Sequence, residues 1–179
     1  AAIALPICFL GAGNVVGNAL LRFTVRRSYD GLRGIDSLVW ALIFVSAVGM
    51  GPFAGILALA VPDIGLLAKV FSEAIEGADR RQVEGVRASG GSRLQAIRFG
   101  LIPQAAPVML SQILYTFESN TRSATILGVV GAGGIGLALG DRIRLNDWDE
   151  AAFIILLILA TVAIIDWASR RIRLRLIRA

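Results

Sequence analysis

Long stretches without a charged side chain recur along the whole chain, and they constrain its fold more than any other feature. Five such runs can be read from the sequence: residues 1–21, 37–62, 101–117, 123–140 and 151–165. Several approach the roughly 20 apolar residues that carry a helix across a hydrocarbon layer of about 30 Å. Hydrophobic residues make up 56% of the chain, which exceeds the roughly 45–50% of an ordinary soluble domain. An all-α, polytopic membrane protein with about five spanning helices is therefore predicted.

The arginines fall between these runs and predict the side of the membrane on which each segment lies. Three basic segments, residues 22–33, 80–98 and 170–178, hold 14 of the 17 arginines. Short cytoplasmic loops are enriched in Lys and Arg, so all three segments are predicted to be cytoplasmic. A sparser set is accompanied by four carboxylates between residues 141 and 150 and is predicted to be external: Arg122, Arg142 and Arg144.

Placing the basic segments on one side requires an even number of crossings between them. Residues 37–76 must then cross twice, with a turn in the Gly- and Pro-rich stretch 49–55. Residues 123–140 contain six Gly in 18 residues, and we expect this segment to enter the membrane and return, covered by protein. Because residues 22–33 are predicted to be cytoplasmic, the start of the first helix is predicted to lie outside. This implies that at least one more N-terminal helix is missing. We expect one transmembrane domain over residues 1–179, incomplete at its N terminus.

The residue inventory excludes several kinds of site. The chain has no His and a single cysteine, Cys8, so imidazole catalysis, Cys/His zinc sites and disulfide scaffolds are excluded. The glycines at 131, 133 and 136 have the spacing of a dinucleotide-binding loop, but the segment after them leaves no room for a Rossmann sheet. The sequence also lacks G-x-x-x-x-G-K-[ST]. We therefore expect no enzyme activity, cofactor or metal in this chain, and no nucleic-acid partner.

The longest predicted cytoplasmic loop, residues 77–103, has the punctuation of a folded element. A break at Gly90-Gly91 predicts two short helices, because Gly90 suits a left-handed helix end. Ser92 suits the N-cap of the second helix. Pro103 suits the first turn of the membrane helix that follows.

The stretch 84–103 resembles the E-A-A loop of permease subunits of bacterial ABC importers, which has a Gly four residues after the second Ala and ends in I-x-L-P. Glu84, Gly90 and Pro103 keep their places in that pattern. Four positions depart from its letters: Gly85, Val86, Gly100 and Ile102.

Four longer stretches resemble permeases of the phosphonate importer type: SEAIE, VEGVRASGGSRLQAIRFGLIPQ, YTFESNTRSATILGVVGAGGIG and GPFAG. The likeness covers about residues 35–179. It implies a membrane pathway formed with a second permease subunit, expected to be a second copy of the same chain. It also implies ATPase subunits on the cytoplasmic face, which bind ATP and Mg, and an external binding protein that delivers the cargo. Phosphonate is the favoured cargo, ahead of phosphate esters, phosphite or another small solute; an ATP-independent channel is a further alternative.

The resemblance implies that the loop couples the permease to the ATPase. In this interpretation Glu84 and Gly90 hold a stiff lever, and Arg87, Arg93 and Arg98 contact the ATPase or lipid headgroups. The full set of predicted coupling residues is Glu84, Gly85, Arg87, Ala88, Gly90, Arg93, Arg98 and Pro103.

Polar side chains and glycines in the apolar runs are candidates for the translocation pathway, because a charge in the bilayer is normally paired or faces a cavity. The predicted pathway residues are Glu118, Asn120, Arg122, Gly131, Gly133 and Gly134. Glu118 and Arg122 are four residues apart, so a purely structural ion pair is the alternative. Lys69 is expected to extend to the membrane interface or to pair with Glu73, and Asp166 is expected to pair with Arg170.

Overall fold

The computed structural model describes residues 1–15 and 17–178, with side chains described as far as Leu174. Arg175 and Arg178, two arginines of the predicted C-terminal basic segment, have side chains that lie outside the described residues. Regular structure within the described ranges is entirely helical, as predicted. The helices are α1 (Ala4–Gly11), α2 (Ala19–Gly34), α3 (Ser37–Val48), α4 (Pro52–Glu76), α5 (Arg80–Ala88), α6 (Arg93–Gln95), α7 (Ile102–Leu127), α8 (Ile135–Arg144) and α9 (Trp148–Arg178). Two π-helical turns flank α7, Ala96–Leu101 before it and Gly128–Ala132 after it.

Two helices, α4 and α9, are each long and apolar enough to cross a membrane. Two further combinations pass the same test only across a break: α2 with α3, and the helical stretch ending at Ala132 with α8. The described ranges thus hold two spans, or up to four if each broken pair is one span. This is fewer than the five expected, because the first apolar run does not form one long helix. α1 has only eight residues, and residues 12–15 and 17–18 are not helical.

The described residues pack into two compact units. Residues 1–32 and 64–113 form the first unit, and residues 33–63 and 114 onward form the second. The core of the first unit contains Phe71, Ile75 and Leu101, with the hydroxyl of Tyr29 donating to the Ile7 carbonyl at 2.6 Å.

The core of the second unit is built around small residues. Ala41, Ala58 and Ala132 are buried together with Leu127. Alanine allows helix backbones to approach closely, which is how helices associate when lipid tails are as apolar as the side chains. The close approach in this unit places its Gly-rich segments against each other, as described below.

Residues 37–76 form two helices, and the turn between them lies where Gly and Pro cluster, as predicted. Two crossings stay a prediction, because α3 has 12 residues and is a candidate span only together with α2. α3 begins at Asp36, whose carboxylate accepts the N–H of Leu38 at 2.8 Å. It ends at Gly49, and α4 begins at Pro52. Proline is favoured in the first turn of a helix, since it has no N–H to leave unsatisfied there.

Candidate functional site

A rigid elbow, residues 80–101, lies in the first unit. Its first arm is α5, and its second arm is α6 with the π turn that follows. The N terminus of α5 is capped by Asp79, which accepts the N–H of Arg81 at 2.9 Å. Gly90, with φ of +88°, reverses the chain after the helix. The N–H of Gly91 then donates back to the Val86 carbonyl at 3.0 Å. Because a side chain is strained at such a φ, glycine is the residue this corner requires, as predicted for Gly90.

The second arm of the elbow starts at a capping box. The Ser92 hydroxyl accepts the N–H of Gln95 at 3.4 Å, and the Gln95 side chain accepts the N–H of Ser92 at 2.7 Å. The prediction of Ser92 as N-cap is confirmed, but the prediction of a separate second short helix is wrong. α6 continues through the π turn Ala96–Leu101 directly into α7. Pro103 is therefore an early residue of a continuous helix, and the irregular hydrogen bonding of a π turn accommodates a residue without an N–H nearby.

The two arms are locked together by close packing and by Gln104. A Cβ on Gly100 would lie 2.9 Å from the Cα of Val83, so the π turn lies directly against α5. The Gln104 side chain accepts the N–H of Asp79 at 2.8 Å and donates to the Gly100 carbonyl at 2.6 Å. The elbow is consequently a stiff element that can transmit a displacement, unlike a flexible linker.

Apart from Pro103, the predicted coupling residues divide into two groups by their contacts. Glu84, Gly85, Arg87, Ala88 and Gly90 are exposed on α5 and the corner. Within residues 1–15 and 17–178, no hydrogen bond or ion pair holds the Glu84 carboxylate, so its predicted role in holding the lever finds no contact inside this chain.

The arginines of the second arm are engaged within the unit. Arg93 donates to the Val15 carbonyl at 2.6 Å, which ties the elbow to the segment after α1. The Arg98 guanidinium lies over the Phe99 ring at 5.6 Å, a favourable cation–π contact.

Two large apolar side chains on the elbow were not identified from the sequence. Leu94 is 78% exposed and Phe99 is 62% exposed. Leu94 follows Arg93 and Phe99 follows Arg98 in a polar segment. A large apolar residue next to an arginine is the signal that could have identified them. Exposed apolar groups with a polar rim mark interaction surfaces, so Leu94 and Phe99 are candidate contact residues.

In the second unit, α7 leads into a Gly-rich break that bends the helical path by 55° before α8. After the π turn Gly128–Ala132, Gly133 and Gly134 have φ of +80° and +76°. The backbones on either side of the break touch, because a Cβ on Gly128 would lie 2.5 Å from the Cα of Gly136. Gly128 and Gly136 therefore permit close packing, and Gly133 and Gly134 permit the reversal of the chain.

The two Gly-rich segments identified in the sequence lie against each other. The N–H of Gly51, in the turn before α4, donates to the Gly131 carbonyl at 3.1 Å. A Cβ on Gly133 would lie within 2.4 Å of the Pro52 nitrogen, so this position tolerates no side chain. The turn before α4 and the break after α7 thus form one interlocked structure.

A cavity of about 310 Å³ opens beside this structure, and Gly133 and Gly134 line it. Gly131 packs on Met50 and is not among the lining residues. The polar side chains of the lining are three threonines, and their hydroxyls donate to carbonyls one turn earlier in their own helices: Thr121, Thr125 and Thr161. None of the described lining residues is charged. The cavity alone therefore does not supply the cations that an oxyanion requires.

A charge network joins α7 to α9 in the same unit. Arg122 donates to the Asp166 carboxylate at 3.1 Å and pairs with Glu118 at 3.4 Å. Arg173 donates to the other Glu118 oxygen at 3.2 Å. Asn120, between these residues, hydrogen-bonds Asp63 of α4. Glu118 and Arg122 therefore form the ion pair that their spacing predicts, and Asn120 is engaged as well. Their role in the translocation pathway stays a prediction.

Three predictions about charged residues are wrong. Asp166 pairs with Arg122 and not with Arg170. Lys69 pairs with Asp30 at 2.6 Å and not with Glu73. In both cases a partner on another helix approaches more closely than the partner four residues away on the same helix.

The third is the grouping of Arg122 with Arg142 in one external set. Arg122 contacts Asp166, whereas Arg142 pairs with Glu150 at 2.8 Å. Glu150 lies about 24 Å from Asp166 along the helix at 1.5 Å per residue. The two arginines therefore lie at different levels of α9, which their order in the sequence does not reveal.

Comparison with known proteins identifies the family. Residues 4–178 match the binding-protein-dependent transport system inner membrane component family. The chain belongs to this family. An all-α permease fold in a multi-pass membrane protein is thereby confirmed.

Several curated relatives are similar over much of the chain. The phosphite transport system permease protein PtxC of Stutzerimonas stutzeri is 37% identical over 169 residues, covering 94% of this chain and 62% of that protein. The phosphate-import permease protein PhnE of Mycolicibacterium smegmatis is 38% identical over 176 residues, covering 98% of this chain and 33% of that protein. A putative cryptic phosphonate transport system permease protein, PhnE2 of Escherichia coli, is 44% identical over 117 residues, covering 65% of this chain and 96% of that protein.

A solved structure supports the fold independently. The chain resembles a subunit in the crystal structure of an amino acid ABC transporter with histidines, with a TM-score of 0.76. The similarity covers 97% of this chain and 84% of that chain at 20% sequence identity. The chain spans less than two thirds of the length of the phosphite and phosphate relatives.

The elbow predicts opposite effects for two glycine substitutions, at Gly90 and at Gly85, five residues earlier. Gly90→Ala should destabilise the protein by about 1–2 kcal/mol, the cost of a Cβ at a left-handed φ. Gly85→Ala should stabilise it by about 0.5–1 kcal/mol, because Gly85 is helical with open space around it and alanine favours helix. Unfolding of the full-length permease in mixed micelles measures both. Equal effects of the two substitutions would contradict the corner geometry.

The charge network predicts a rescue by charge exchange. Arg122→Asp should lower the free energy of unfolding by about 1 kcal/mol or more, since partly exposed pairs contribute up to about that amount and the new carboxylate faces two others. Adding Asp166→Arg to this variant should restore most of the lost free energy of unfolding. Arg144→Asp is the matched control, because Arg144 is exposed and pairs with none of the described residues. Failure of the double exchange to restore stability would refute the pairing.

Proposed function

We propose that this chain is the membrane-spanning subunit of an ATP-binding cassette importer for phosphonate or a related small phosphorus oxyanion. Membership in a family of binding-protein-dependent transport components carries the proposal. The alternating-access pathway is driven by a partner ATPase, which holds ATP and Mg, while this chain holds no cofactor. An external binding protein delivers the cargo.

The cargo assignment is supported by what the relatives are named for. Those with 37–44% identity are named for phosphite, phosphate or phosphonate transport, all tetrahedral phosphorus oxyanions. A probable D-methionine permease of Vibrio cholerae is only 31% identical over 103 residues. Phosphonate is the favoured cargo within the phosphorus class; phosphate esters and phosphite are the alternatives.

The elbow is the element that we assign to the ATPase. Its outer surface carries Leu94 and Phe99, with the Glu84 carboxylate and the Arg87 guanidinium also exposed. An apolar pair surrounded by charges is suited to docking in a groove of a partner. The packing of Gly100 on α5 makes the elbow rigid enough to pass a displacement into α7.

The pathway is completed by a second permease subunit, which we propose to be another copy of this chain. The cavity of the second unit is bordered by Gly133 and Gly134 but carries no charged lining residue among those described. An oxyanion crossing a membrane requires donors or cations along its path. Facing surfaces of two subunits would supply these together.

We further propose that the elbow and the C-terminal basic segment are cytoplasmic, in a bacterial inner membrane. The arginines of residues 80–98 and 170–178 favour this orientation, since cytoplasmic loops near membrane helices are rich in Arg. The segment 141–150, with its paired Arg142 and Glu150, is then external.

Substitution of the apolar elbow residues tests the coupling. The double variant Leu94→Ala, Phe99→Ala should weaken association with the ATPase subunit roughly 30-fold or more, the loss expected for truncating interface hot spots. Uptake of methylphosphonate by vesicles holding the complete transporter should fall in parallel. Leu145→Ala is the control, because Leu145 is 70% exposed but lies far from the elbow in the sequence. Unchanged ATPase association in the double variant would refute the docking role.

The same vesicles distinguish the alternatives. Uptake that requires ATP and the binding protein supports the importer. Flux of methylphosphonate without ATP would instead support a channel, and competition by phosphite stronger than by methylphosphonate would move the cargo assignment to phosphite.

A further inference from the structure

A charged cleft lies between α2 and α4 in the first unit, outside the elbow and the cavity. Its volume is about 540 Å³. Six lining residues come from α2 at helical spacing and two from α4: Ala19, Arg22, Phe23, Arg26, Arg27, Asp30, Lys69 and Glu73. The cleft therefore follows one face of α2, and four of its eight residues are cations.

Two of these cations are already used within the unit. Arg26 pairs with Glu76 at 2.5 Å and donates to the Gly11 carbonyl at 3.1 Å. Lys69 pairs with Asp30 at 2.6 Å. Their charges are offset locally, and their positions are fixed by these contacts.

The other two cations keep donors available. The Arg22 guanidinium donates no hydrogen bond to any residue in the described ranges. Arg27 is 70% exposed, and its nearest carboxylate contact, to Asp30, is 3.9 Å long. Counting Glu76 with Asp30 and Glu73, four cations face three carboxylates, so the site has a net charge of +1. Two guanidinium groups with free N–H donors are suited to a phosphate.

Two exposed apolar side chains at the cleft indicate where such a phosphate comes from. Phe23, which lines the cleft, is 59% exposed with the Arg27 guanidinium 5.2 Å over its ring, and Leu20, two turns before Arg27, is 74% exposed. Arginines whose stems lie along apolar side chains keep their guanidinium groups at the level of lipid headgroups, so this side of α2 is suited to the headgroup region of a bilayer. The apolar side chains then reach the acyl boundary while the arginines lie at the level of the lipid phosphates.

We infer that the cleft between α2 and α4 binds the headgroup of an anionic phospholipid, with phosphatidylglycerol as the fitting chemistry. Arg22 and Arg27 bind the phosphodiester. Glu73 borders the same cleft with an exposed carboxylate, and it accepts a hydrogen bond from a glycerol hydroxyl. Basic pockets between membrane helices bind anionic headgroups elsewhere by the same chemistry. The site is independent of the cargo and of the elbow.

Native mass spectrometry of the full-length permease, released from nanodiscs of phosphatidylcholine with phosphatidylglycerol, tests the assignment. The wild-type protein should retain phosphatidylglycerol. Arg22→Gln with Arg27→Gln should weaken retention roughly 30-fold, the loss expected for two juxtamembrane cations. Arg80→Gln with Arg81→Gln removes the same charge from exposed positions outside the cleft and should leave retention unchanged. Equal losses in the two double variants would show only a general charge effect and would overturn the site.

A second variant tests the role of the carboxylate with the arginines intact. Glu73→Ala should raise retention of phosphatidic acid, which lacks the glycerol headgroup, and lower the preference for phosphatidylglycerol. An unchanged preference would overturn the assigned role of Glu73 and with it the choice of phosphatidylglycerol.

Two other ligands give distinct results. Displacement of the lipid by millimolar inorganic phosphate, with the same loss in the Arg22 and Arg27 variant, would assign the cleft to a free anion and overturn the lipid proposal. Weaker ATPase association with unchanged lipid retention in that variant would show a protein-docking surface, which also overturns it.

Discussion

Inside a bilayer every backbone N–H and C=O needs a partner within the protein, and the second unit depends on this constraint. The helical path breaks before α4 and again after α7, and each break exposes backbone groups. The N–H of Gly51 and the carbonyl of Gly131 satisfy each other across the two breaks. The breaks are stable because they are paired, and the absence of side chains at Gly55 and Gly133 permits the approach.

The elbow shows how far local chemistry specifies a functional element. The cap at Ser92 and the left-handed corner at Gly90 follow rules that involve only a few adjacent residues, so both could be predicted from the sequence. The continuation of α6 into α7 could not, because it depends on Gly100 packing against Val83. The result is an elbow that continues without a break into α7.

The ion-pair partners of charged residues could be predicted from the sequence only in part. A four-residue spacing identified the pair Glu118 and Arg122, but not Asp166 or Arg173, which complete the network from α9. The same rule failed for Lys69, whose partner Asp30 lies on α2. Spacing reports neighbours on one helix, whereas the depth and packing of separate helices decide which partner is closer. The exposed face of the elbow was missed for the same reason, since exposure of an apolar side chain is a tertiary property.

The central proposal is a topology in which the elbow and the C-terminal arginines lie on the same side of the membrane and the segment 141–150 lies on the other. Single cysteines at Ser89, Arg170 and Leu145 test it, with little background because the native Cys8 is fully buried. In intact cells an impermeant maleimide should label Leu145→Cys only, and Ser89→Cys and Arg170→Cys should react only after the membrane is opened. Labelling of Ser89→Cys and Arg170→Cys from opposite sides would contradict the account.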